Sequence, residues 1–348
     1  MKKLYQSIVK LLENKENFVQ ATILTQWGSS PRTAGAKMII RSDQSIIGTI
    51  GGGLLEARVQ QMAAEIFETK LAVTREFDLT GDEAGQMDMI CGGRLEVLVE
   101  YLDASDDRLL SIYQEIVAAV DKRKRVVLVT PLFTQGEDQS ANHSFLVRED
   151  GSTTGAFRGL TRWVEKLLGQ AKGRYPQMLQ IEEKRFLVEP ISAYGTVYIF
   201  GAGHVSQKLA LLTSLVDFRT VVLDDRAEFA SRDRFTAADQ VILLESFHQS
   251  FKDLDIDQES YVIIVTRGHA HDKTVLAQAL KTNAGYIGMI GSKRKRDTIY
   301  RALREEGFTD NDLRRVYSPI GLEIAAETPE EIAVSIVGEL IKIRAGQG

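Results

Sequence analysis

The stretch that decides the fold is Val197-Tyr-Ile-Phe-Gly-Ala-Gly-His-Val-Ser206, a short apolar strand that runs into a glycine-rich turn. Amphipathic helical spacing follows to Leu215, and a second apolar strand, Thr220-Val-Val-Leu223, ends at Asp224. This acidic residue lies 23 positions beyond the first glycine of the turn. A dinucleotide-binding βαβ unit has this spacing, so the stretch predicts a doubly wound parallel sheet.

Strands and helices continue to alternate after this unit. Apolar strands at 241–244, 261–265 and 286–290 are separated by helical spacing, as in a parallel α/β sheet. Thr328 then predicts the N-cap of a last helix, with Pro329 at its first position and Glu331 completing a capping box. We therefore predict a Rossmann-like doubly wound domain over residues 193–348.

Residues 1–192 are predicted to form a different, internally duplicated α/β domain, with copies at about 15–102 and 120–191. Residues 21–25 align with 126–130, 38–48 with 145–155, and 95–100 loosely with 185–190. Each copy predicts a strand, a hairpin, a helix and a returning strand. We expect the two copies to share one sheet.

Composition excludes several classes of protein. The chain has 348 residues, a net charge of −5 and no basic excess of the kind that nucleic-acid-binding proteins carry. Its single cysteine, Cys91, excludes a disulfide scaffold and favours a reducing compartment. No run approaches the roughly 18–20 apolar residues of a membrane span. We expect a cytoplasmic protein without nucleic-acid or membrane partners.

The glycine-rich turn is the first candidate site. Gly201 and Gly203 would let backbone amides approach a pyrophosphate, and Asp224 would bind ribose hydroxyls. His204 is expected at the same edge of the sheet. Ser206 replaces the third glycine of the motif, so NAD, NADP and no nucleotide all stay open.

A second candidate is Thr266-Arg-Gly-His-Ala-His-Asp272, which follows a predicted strand. His269, His271 and Asp272 could bind a divalent metal or move a proton, and Asp272 could instead cap the next helix.

Ser292 can cap the helix after the last of these strands, where Lys293 and backbone amides could hold an anion. Lys295 and Arg296 are predicted to lie on a solvated helix face.

The first copy of the duplicated domain carries motifs that the second lacks. Ser29, Ser30 and Arg32 could form an anion pocket. Gly51, Gly52 and Gly53 indicate close approach of the backbone to a ligand, whereas Glu56 is expected to complement a helix N-terminus. Cys91, before two glycines, could ligate a transition metal or accept sulfur, or be a small buried hydrophobe.

Taken together, these strings resemble the XdhC/CoxI family, the accessory proteins of xanthine dehydrogenase and related molybdenum hydroxylases. The resemblance runs from about residue 15 to 343 and keeps the order of the motifs. In the first domain the matching strings are Gly28-Ser-Ser-Pro-Arg32, Gly35-Ala-Lys-Met38, Gly48-Thr-Ile-Gly-Gly-Gly-Leu-Leu-Glu56 and Cys91-Gly-Gly93. In the second they are Phe200-Gly-Ala-Gly-His-Val205, Asp224-Asp-Arg226, Thr266-Arg-Gly-His-Ala-His-Asp272, Tyr286-Ile-Gly-Met-Ile-Gly-Ser292, Ser318-Pro-Ile-Gly-Leu322 and Thr328-Pro-Glu-Glu-Ile332.

The resemblance implies an accessory protein rather than a metabolic enzyme. Such a protein would bind the molybdenum cofactor, protect it during sulfuration by a cysteine desulfurase, and deliver it to an apo-molybdenum hydroxylase. Residues 29, 30, 32 and 51–53 would hold the phosphate and pterin, with Cys91 near molybdenum as a candidate ligand. An NAD(P)-dependent oxidoreductase and a nucleotide-sensing adaptor are the alternatives. A homodimer is expected only as the commonest assembly.

Overall fold

The structure is a computed structural model that describes residues 2–28, 32–78, 93–122, 124–132, 144–155, 163, 164, 166, 167, 175–191 and 195–346. The chain divides into two units, residues 1–192 and residues 193–348. Each unit has its own sheets and its own hydrophobic core.

The first unit is built from two five-stranded sheets and the helices that cover them. Its helices are α1 (Lys2–Glu13), α2 (Gly53–Thr69) and α3 (Asp107–Asp121), and residues 163, 164, 166 and 167 are helical as well. Its strands are β1 (Phe18–Gly28), β2 (Lys37–Arg41), β3 (Ile46–Gly48), β4 (Val73–Asp78), β5 (Gly93–Leu102), β6 (Val126–Leu132), β7 (Phe145–Arg148), β8 (Thr153–Thr154), β9 (Gln177–Ile181) and β10 (Lys184–Ile191).

The two sheets have the same topology. Their strand orders are β3-β2-β1-β5-β4 and β8-β7-β6-β10-β9, and the strands pair antiparallel. Matching β1–β5 to β6–β10 makes the two orders identical, and each copy is preceded by a helix, α1 or α3. The duplicated α/β fold predicted from the sequence is therefore confirmed.

The pairing register gives the match residue by residue. The first residues of β1 and β6 pair with the last residues of β5 and β10. Two positions further along, Gln20 pairs with Glu100 in the first copy, and Leu128 pairs with Glu189 in the second. Glu100 and Glu189 are therefore equivalent residues of the two copies.

The prediction that both copies share one sheet is wrong. Strand β1 takes β2 and β5 as its two neighbours, and β6 takes β7 and β10. Because each central strand finds both partners within its own copy, each copy completes its own sheet. The sheets meet through side chains instead: Leu24 and Leu98 of the first form one cluster with Leu132 and Leu187 of the second.

Helices cover both sheets of the first unit. Buried side chains of α1 and α3, such as Ile8 and Ile116, pack with residues of both sheets. Helix α2 packs on the other face of the first sheet, where Val59 contacts the cluster that contains Val19 and Ala21. Alternate residues of a strand point to opposite faces, so both faces of β1 are buried.

The second unit is a six-stranded parallel sheet with helices on both faces. Its strands are β11 (Thr196–Phe200), β12 (Arg219–Asp224), β13 (Gln240–Leu243), β14 (Ser260–Ile264), β15 (Tyr286–Met289) and β16 (Val316–Tyr317). Its helices are α4 (His204–Leu215), α5 (His269–Ala279), α6 (Lys293–Glu305), α7 (Asp310–Arg314) and α8 (Pro329–Arg344), with a 3₁₀ turn at Phe247–Gln249.

The strand order β13-β12-β11-β14-β15-β16 is the doubly wound order predicted from the sequence. Val197 and Ile199 of β11 pack towards α4 and α8, and Tyr198 and Phe200 pack towards α5 and α6. The capping box of α8 is also confirmed, since Thr328 and Glu331 exchange side-chain and backbone hydrogen bonds. Among the described helices, none combines the length and the apolar composition needed to cross a membrane.

Candidate functional site

The carboxyl edge of the parallel sheet carries most of the candidate residues of the second unit. Strands β11, β12, β14 and β15 end there, next to the glycine-rich turn, Asp224, the segment 266–272 and the start of α6. In open α/β sheets this edge is where ligands bind.

The glycine-rich turn has the predicted geometry. Gly201 has a φ of +108°, and a Cβ on it would lie 2.4 Å from the carbonyl oxygen of Val265, so only glycine fits. Its amide donates to the carbonyl of Leu223 at 2.7 Å. Gly203 precedes α4, and among the described residues no side chain caps this helix. His204, the first residue of α4, is exposed.

Asp224, the predicted ribose acceptor, already has partners within the chain. Its carboxylate, 1 % exposed, accepts the amide of Ala202 at 2.8 Å and the amide of Arg226 at 3.0 Å. The guanidinium of Arg226 adds two hydrogen bonds of 2.9 Å, one to each oxygen. A carboxylate has about four acceptor positions, so ribose hydroxyls would have to displace Arg226.

The electrostatics of Asp224 agree with this arrangement. Burial raises the pKa of its carboxyl, but the hydrogen bonds from Arg226 and Ala202 outweigh burial and hold the pKa below its ordinary value. Arg226 also lies over the ring of Phe229, 3.6 Å from its centroid. The acidic group is thus ionised and held by a stacked arginine.

Asp272 joins the end of β14 to the N-terminal turn of α5. Its side chain is fully buried, and Oδ1 accepts the hydroxyl of Thr266 at 2.6 Å and its amide at 3.2 Å. Oδ2 forms an ion pair with the ammonium of Lys295 from α6. The prediction that Lys295 lies on a solvated face is therefore wrong, because a buried carboxylate holds it.

The three predicted metal ligands do not form a metal site. His269 is exposed at the start of α5, and the ring of His271 packs 5.1 Å from the ring of Phe247. Asp272 is paired with Lys295. In the described part of the chain, no three His, Cys, Asp or Glu side chains come together to hold a metal ion.

Ser292 caps α6, as the sequence predicted. Its hydroxyl oxygen accepts the amide of Lys295 at 3.2 Å. Lys293, the first residue of the helix, is exposed. The side chain of Arg296 is only partly exposed, contacts Asp297 and donates to the carbonyl of Ser318 at 3.2 Å, so it is not simply solvated.

In the first unit, the turn of three glycines closes around Glu56. Gly51, Gly52 and Gly53 all have positive φ, at 136°, 81° and 59°. One oxygen of Glu56 accepts the hydroxyl of Thr49 at 2.5 Å, the amide of Gly52 at 2.9 Å and the amide at position 50 at 3.0 Å. The close approach inferred from the glycines is thus made by a carboxylate of the same chain.

The ionised form of Glu56 is favoured. Burial raises the pKa of its carboxyl, but the bonds from Thr49 and the turn amides outweigh burial and lower the pKa below the ordinary value. Glu56 lies in the first turn of α2, where a negative charge also suits the helix dipole. The expectation that Glu56 complements a helix N-terminus agrees with this geometry.

The other candidates of the first unit lie around β1 and β5. Arg32 is exposed in the segment that joins β1 to β2. Ser29, Ser30 and Cys91 lie outside the described residues. Their predicted roles stay predictions.

Sequence reasoning missed a polar layer between the two sheets, formed by Gln20, Lys37, Glu100, Tyr113 and Glu189. The Lys37 ammonium and the Glu189 carboxylate are 2.9 Å apart, and both side chains are almost fully buried. Gln20 donates to Glu100 at 3.3 Å and accepts from the Tyr113 hydroxyl at 3.3 Å. A correct alignment of the two copies would have matched Glu100 with Glu189.

The layer changes the acidity of two of its members. Burial raises the pKa of the Glu100 carboxyl to about 7, although the charge of Lys37 acts in the opposite direction. Burial, followed by the negative charges of Glu100 and Glu189, raises the pKa of the Tyr113 hydroxyl. In the second copy Ser144 stands where Lys37 stands in the first, and its hydroxyl lies 2.9 Å from that of Thr130.

Two family models match this chain. The XdhC Rossmann domain matches residues 197–340, and the XdhC and CoxI family matches residues 11–78. The first lies in the parallel-sheet unit. The second spans β1 to β4 of the duplicated unit, including the turn of three glycines.

Known relatives are similar along nearly the whole chain. A probable xanthine dehydrogenase subunit from Bacillus subtilis (strain 168) is 26% identical over 340 residues, 96% of this chain and 95% of that protein. The uncharacterized protein YqeB of Escherichia coli (strain K12) is 23% identical over 341 residues, which are 98% of this chain but 46% of that protein. The chain thus spans about half the length of YqeB.

A solved structure has the same fold. The crystal structure of a xanthine dehydrogenase from Bacillus halodurans superposes with a TM-score of 0.80 and 27% sequence identity. The match covers 98% of this chain and 96% of that one, so the similarity includes both units.

Proposed function

Because the chain belongs to the XdhC family, we propose that it is a maturation factor for a xanthine dehydrogenase-type molybdenum hydroxylase. It binds the molybdenum cofactor as cargo, assists its sulfuration by a cysteine desulfurase, and inserts it into the apo-hydroxylase. The protein acts in the cytoplasm as a homodimer.

The observation that carries the proposal is the two-part family match, with one part in each unit and in the expected order. A relative of nearly the same length bears the name of a xanthine dehydrogenase subunit.

The first unit is the proposed place for the cargo. Arg32 would bind the cofactor's phosphate together with Ser29 and Ser30, since guanidinium groups and hydroxyls are good phosphate donors. The turn Gly51–Gly53 would lie against the pterin, its shape held by Glu56. Cys91 would stand near molybdenum.

The geometry of Asp224 weighs against an NAD(P)-dependent oxidoreductase. In such an enzyme the acidic residue after the second strand binds the ribose. Here the same carboxylate accepts four hydrogen bonds from Arg226 and Ala202.

A retention experiment tests the proposal. The full chain is incubated with molybdenum cofactor and passed through size exclusion, and molybdenum and pterin are measured per protomer. We expect near-stoichiometric retention by the wild type and reduced retention by Cys91→Ala and by Arg32→Ala. The matched control is Arg75→Ala, because Arg75 is another exposed arginine of the first unit, on edge strand β4.

The outcomes separate the alternatives. Retention by the wild type and by Arg75→Ala, with loss in the other two variants, supports the cargo site. No retention by the wild type refutes the proposal. Consumption of NADH or NADPH with an added substrate would instead favour the oxidoreductase.

A further inference from the structure

Helix α6 begins with a charge pattern that opposes its own dipole. Its first four residues, 293–296, are Lys-Arg-Lys-Arg, and its first turn contains no acidic residue. The N-terminus of a helix carries partial positive charge, so cations there are unfavourable and anions are favourable. Folds that break a local rule in this way usually do so at functional sites.

Only half of this charge is compensated within the described residues. Lys295 pairs with Asp272, and Arg296 pairs with Asp297. For Lys293 and Arg294 the described part of the chain supplies no carboxylate partner. Two positive charges therefore stand at the start of the helix without a counter-charge.

Of these two cations, Arg294 lines a cavity. An open cavity of about 660 Å³ has six lining residues, five of them polar or charged: His269, Ser292, Arg294, Lys295, Thr298 and Ile299. Five side chains with N–H or O–H groups therefore border one space. His269 is the first residue of α5, so a second helix N-terminus borders the cavity as well.

The buried carboxylate of Asp272 fixes one wall of the cavity. Its Oδ2 atom is fully buried and accepts no hydrogen bond, and the Lys295 ammonium is its counter-charge. The stem of Lys295 crosses Gly291, where a Cβ would lie 2.7 Å from the Lys295 Cδ atom. The same ammonium donates to the carbonyl of Ile290 at 3.3 Å. Lys295 is thus held in place before any ligand arrives.

We propose that this cavity binds the phosphate monoester of a small organic ligand. A phosphate monoester carries close to two negative charges at neutral pH, and the uncompensated guanidinium of Arg294 lines the cavity as a partner for them. Lys293, the preceding residue of α6, adds a second positive charge at the start of the same helix. The hydroxyls of Ser292 and Thr298 supply further donors to its oxygens. The volume exceeds that of a phosphate group, so the organic part has room beside it.

The proposal goes beyond cofactor delivery, because the cavity belongs to the second unit and needs no molybdenum. A nucleotide and a phosphorylated pterin both carry the required group. Lys295 and Asp272 act here by position: Asp272 touches no ligand but holds Lys295 against the cavity.

Calorimetric titration of the full chain with inorganic phosphate and with AMP tests the site. We expect both to bind at low ionic strength, with AMP binding more tightly. Arg294→Ala should weaken AMP binding by at least about tenfold, the usual effect of losing a charge-assisted hydrogen bond. Arg301→Ala is the matched control, since Arg301 is an exposed arginine of the same helix that does not line the cavity.

Competition identifies the source of the phosphate. If molybdenum cofactor displaces AMP from the wild type, the site takes a pterin phosphate, and if it does not, the site takes a nucleotide. Absence of phosphate and AMP binding by the wild type overturns the proposal. Equal weakening in Arg294→Ala and Arg301→Ala also overturns it, because it would show diffuse attraction by a basic helix. Far-ultraviolet circular dichroism checks that both variants are folded.

Discussion

Replacing Glu100 by glutamine should stabilise the first unit at about pH 8 and leave its stability nearly unchanged at about pH 4. The pKa of Glu100 is about 7 in the folded protein and lies near 4.5 for an ordinary glutamate. Between these values the folded chain holds a proton that the unfolded chain has released. The free energy of unfolding therefore falls as the pH rises through this interval, by about 1.4 kcal/mol per pH unit.

The magnitude follows from the distance between the two pKa values. A difference of roughly 2.5 units corresponds to about 3 kcal/mol, present below pH 4.5 and lost above pH 7. Glutamine has the shape of the protonated acid and does not titrate. Glu100→Gln should thus gain up to about 3 kcal/mol over the wild type at the higher pH.

Urea unfolding followed by tryptophan fluorescence measures this effect in the unit that contains Glu100. The two tryptophans of the chain, Trp27 and Trp163, both lie in the first unit. Their emission therefore reports the unfolding of residues 1–192 without a contribution from tryptophan in the parallel-sheet unit.

The equivalent glutamate of the second copy, Glu189, supplies a control for Glu100→Gln. Glu189→Gln changes the equivalent residue, but it removes the partner of the buried Lys37 ammonium. Breaking a buried ion pair costs about 3–5 kcal/mol, so this variant should be destabilised at both pH values. The reasoning is refuted if Glu100→Gln is destabilised at about pH 8, or if its effect is the same at both pH values.

Three further predictions concern the turns and the carboxylates that hold them. Gly201→Ala should lower the stability of the second unit by at least about 2 kcal/mol, because its φ of +108° and a backbone carbonyl leave no space for a Cβ. In Gly203→Ala the added Cβ meets no atom within 4 Å, so stability should change by less than about 0.5 kcal/mol. Differential scanning calorimetry of both variants measures the difference. Arg226→Ala should cost about 3 kcal/mol by removing the guanidinium that is hydrogen-bonded to both oxygens of the buried Asp224, and an unchanged thermal midpoint would contradict this. Glu56→Ala should speed hydrogen exchange of the glycine-turn amides; since the pKa of Glu56 lies below its ordinary 4.5, the wild type should lose this protection only as the pH falls below that value.

Local patterns were sufficient to predict the second unit. The strand–turn–helix beginning at Val197 and the capping box at Thr328 depend on residues a few positions apart. Gly201 is needed because a Cβ there would meet the carbonyl of Val265, which directly follows the neighbouring strand β14, and the glycine-rich motif anticipates this close contact. The alternation of strands and helices predicts the parallel sheet of this unit.

In the duplicated unit, local sequence patterns were not sufficient to align the two copies. The alignment of 38–48 with 145–155 agrees with the pairing register of the hairpins. The alignment of 95–100 with 185–190 is wrong by one residue, and it places Glu100 opposite Pro190. Since a shift of one residue in a strand reverses its faces, the slip concealed that Glu100 and Glu189 both enter the polar layer.

The candidate sites depended on side-chain partners that the sequence does not specify. Asp224 has the position of a ribose acceptor, yet Arg226, two residues later, occupies its oxygens. Lys295 reaches Asp272 from another helix. Such pairings require the tertiary structure, because many cations compete for each carboxylate along the chain.

The polar layer contains one lysine, Lys37, which makes the two copies of the repeat asymmetric. In a homodimer of identical halves, every substitution appears on both sides of the twofold axis, so two facing glutamates would be joined by two lysines or by none. A tandem chain can keep lysine at position 37 and serine at position 144. With both glutamates ionised the three charged groups sum to −1, an odd number that a symmetric assembly cannot reach. Fusion of the halves thus gives the two equivalent glutamates different neighbours: Glu189 pairs with Lys37, whereas burial raises the pKa of Glu100 to about 7.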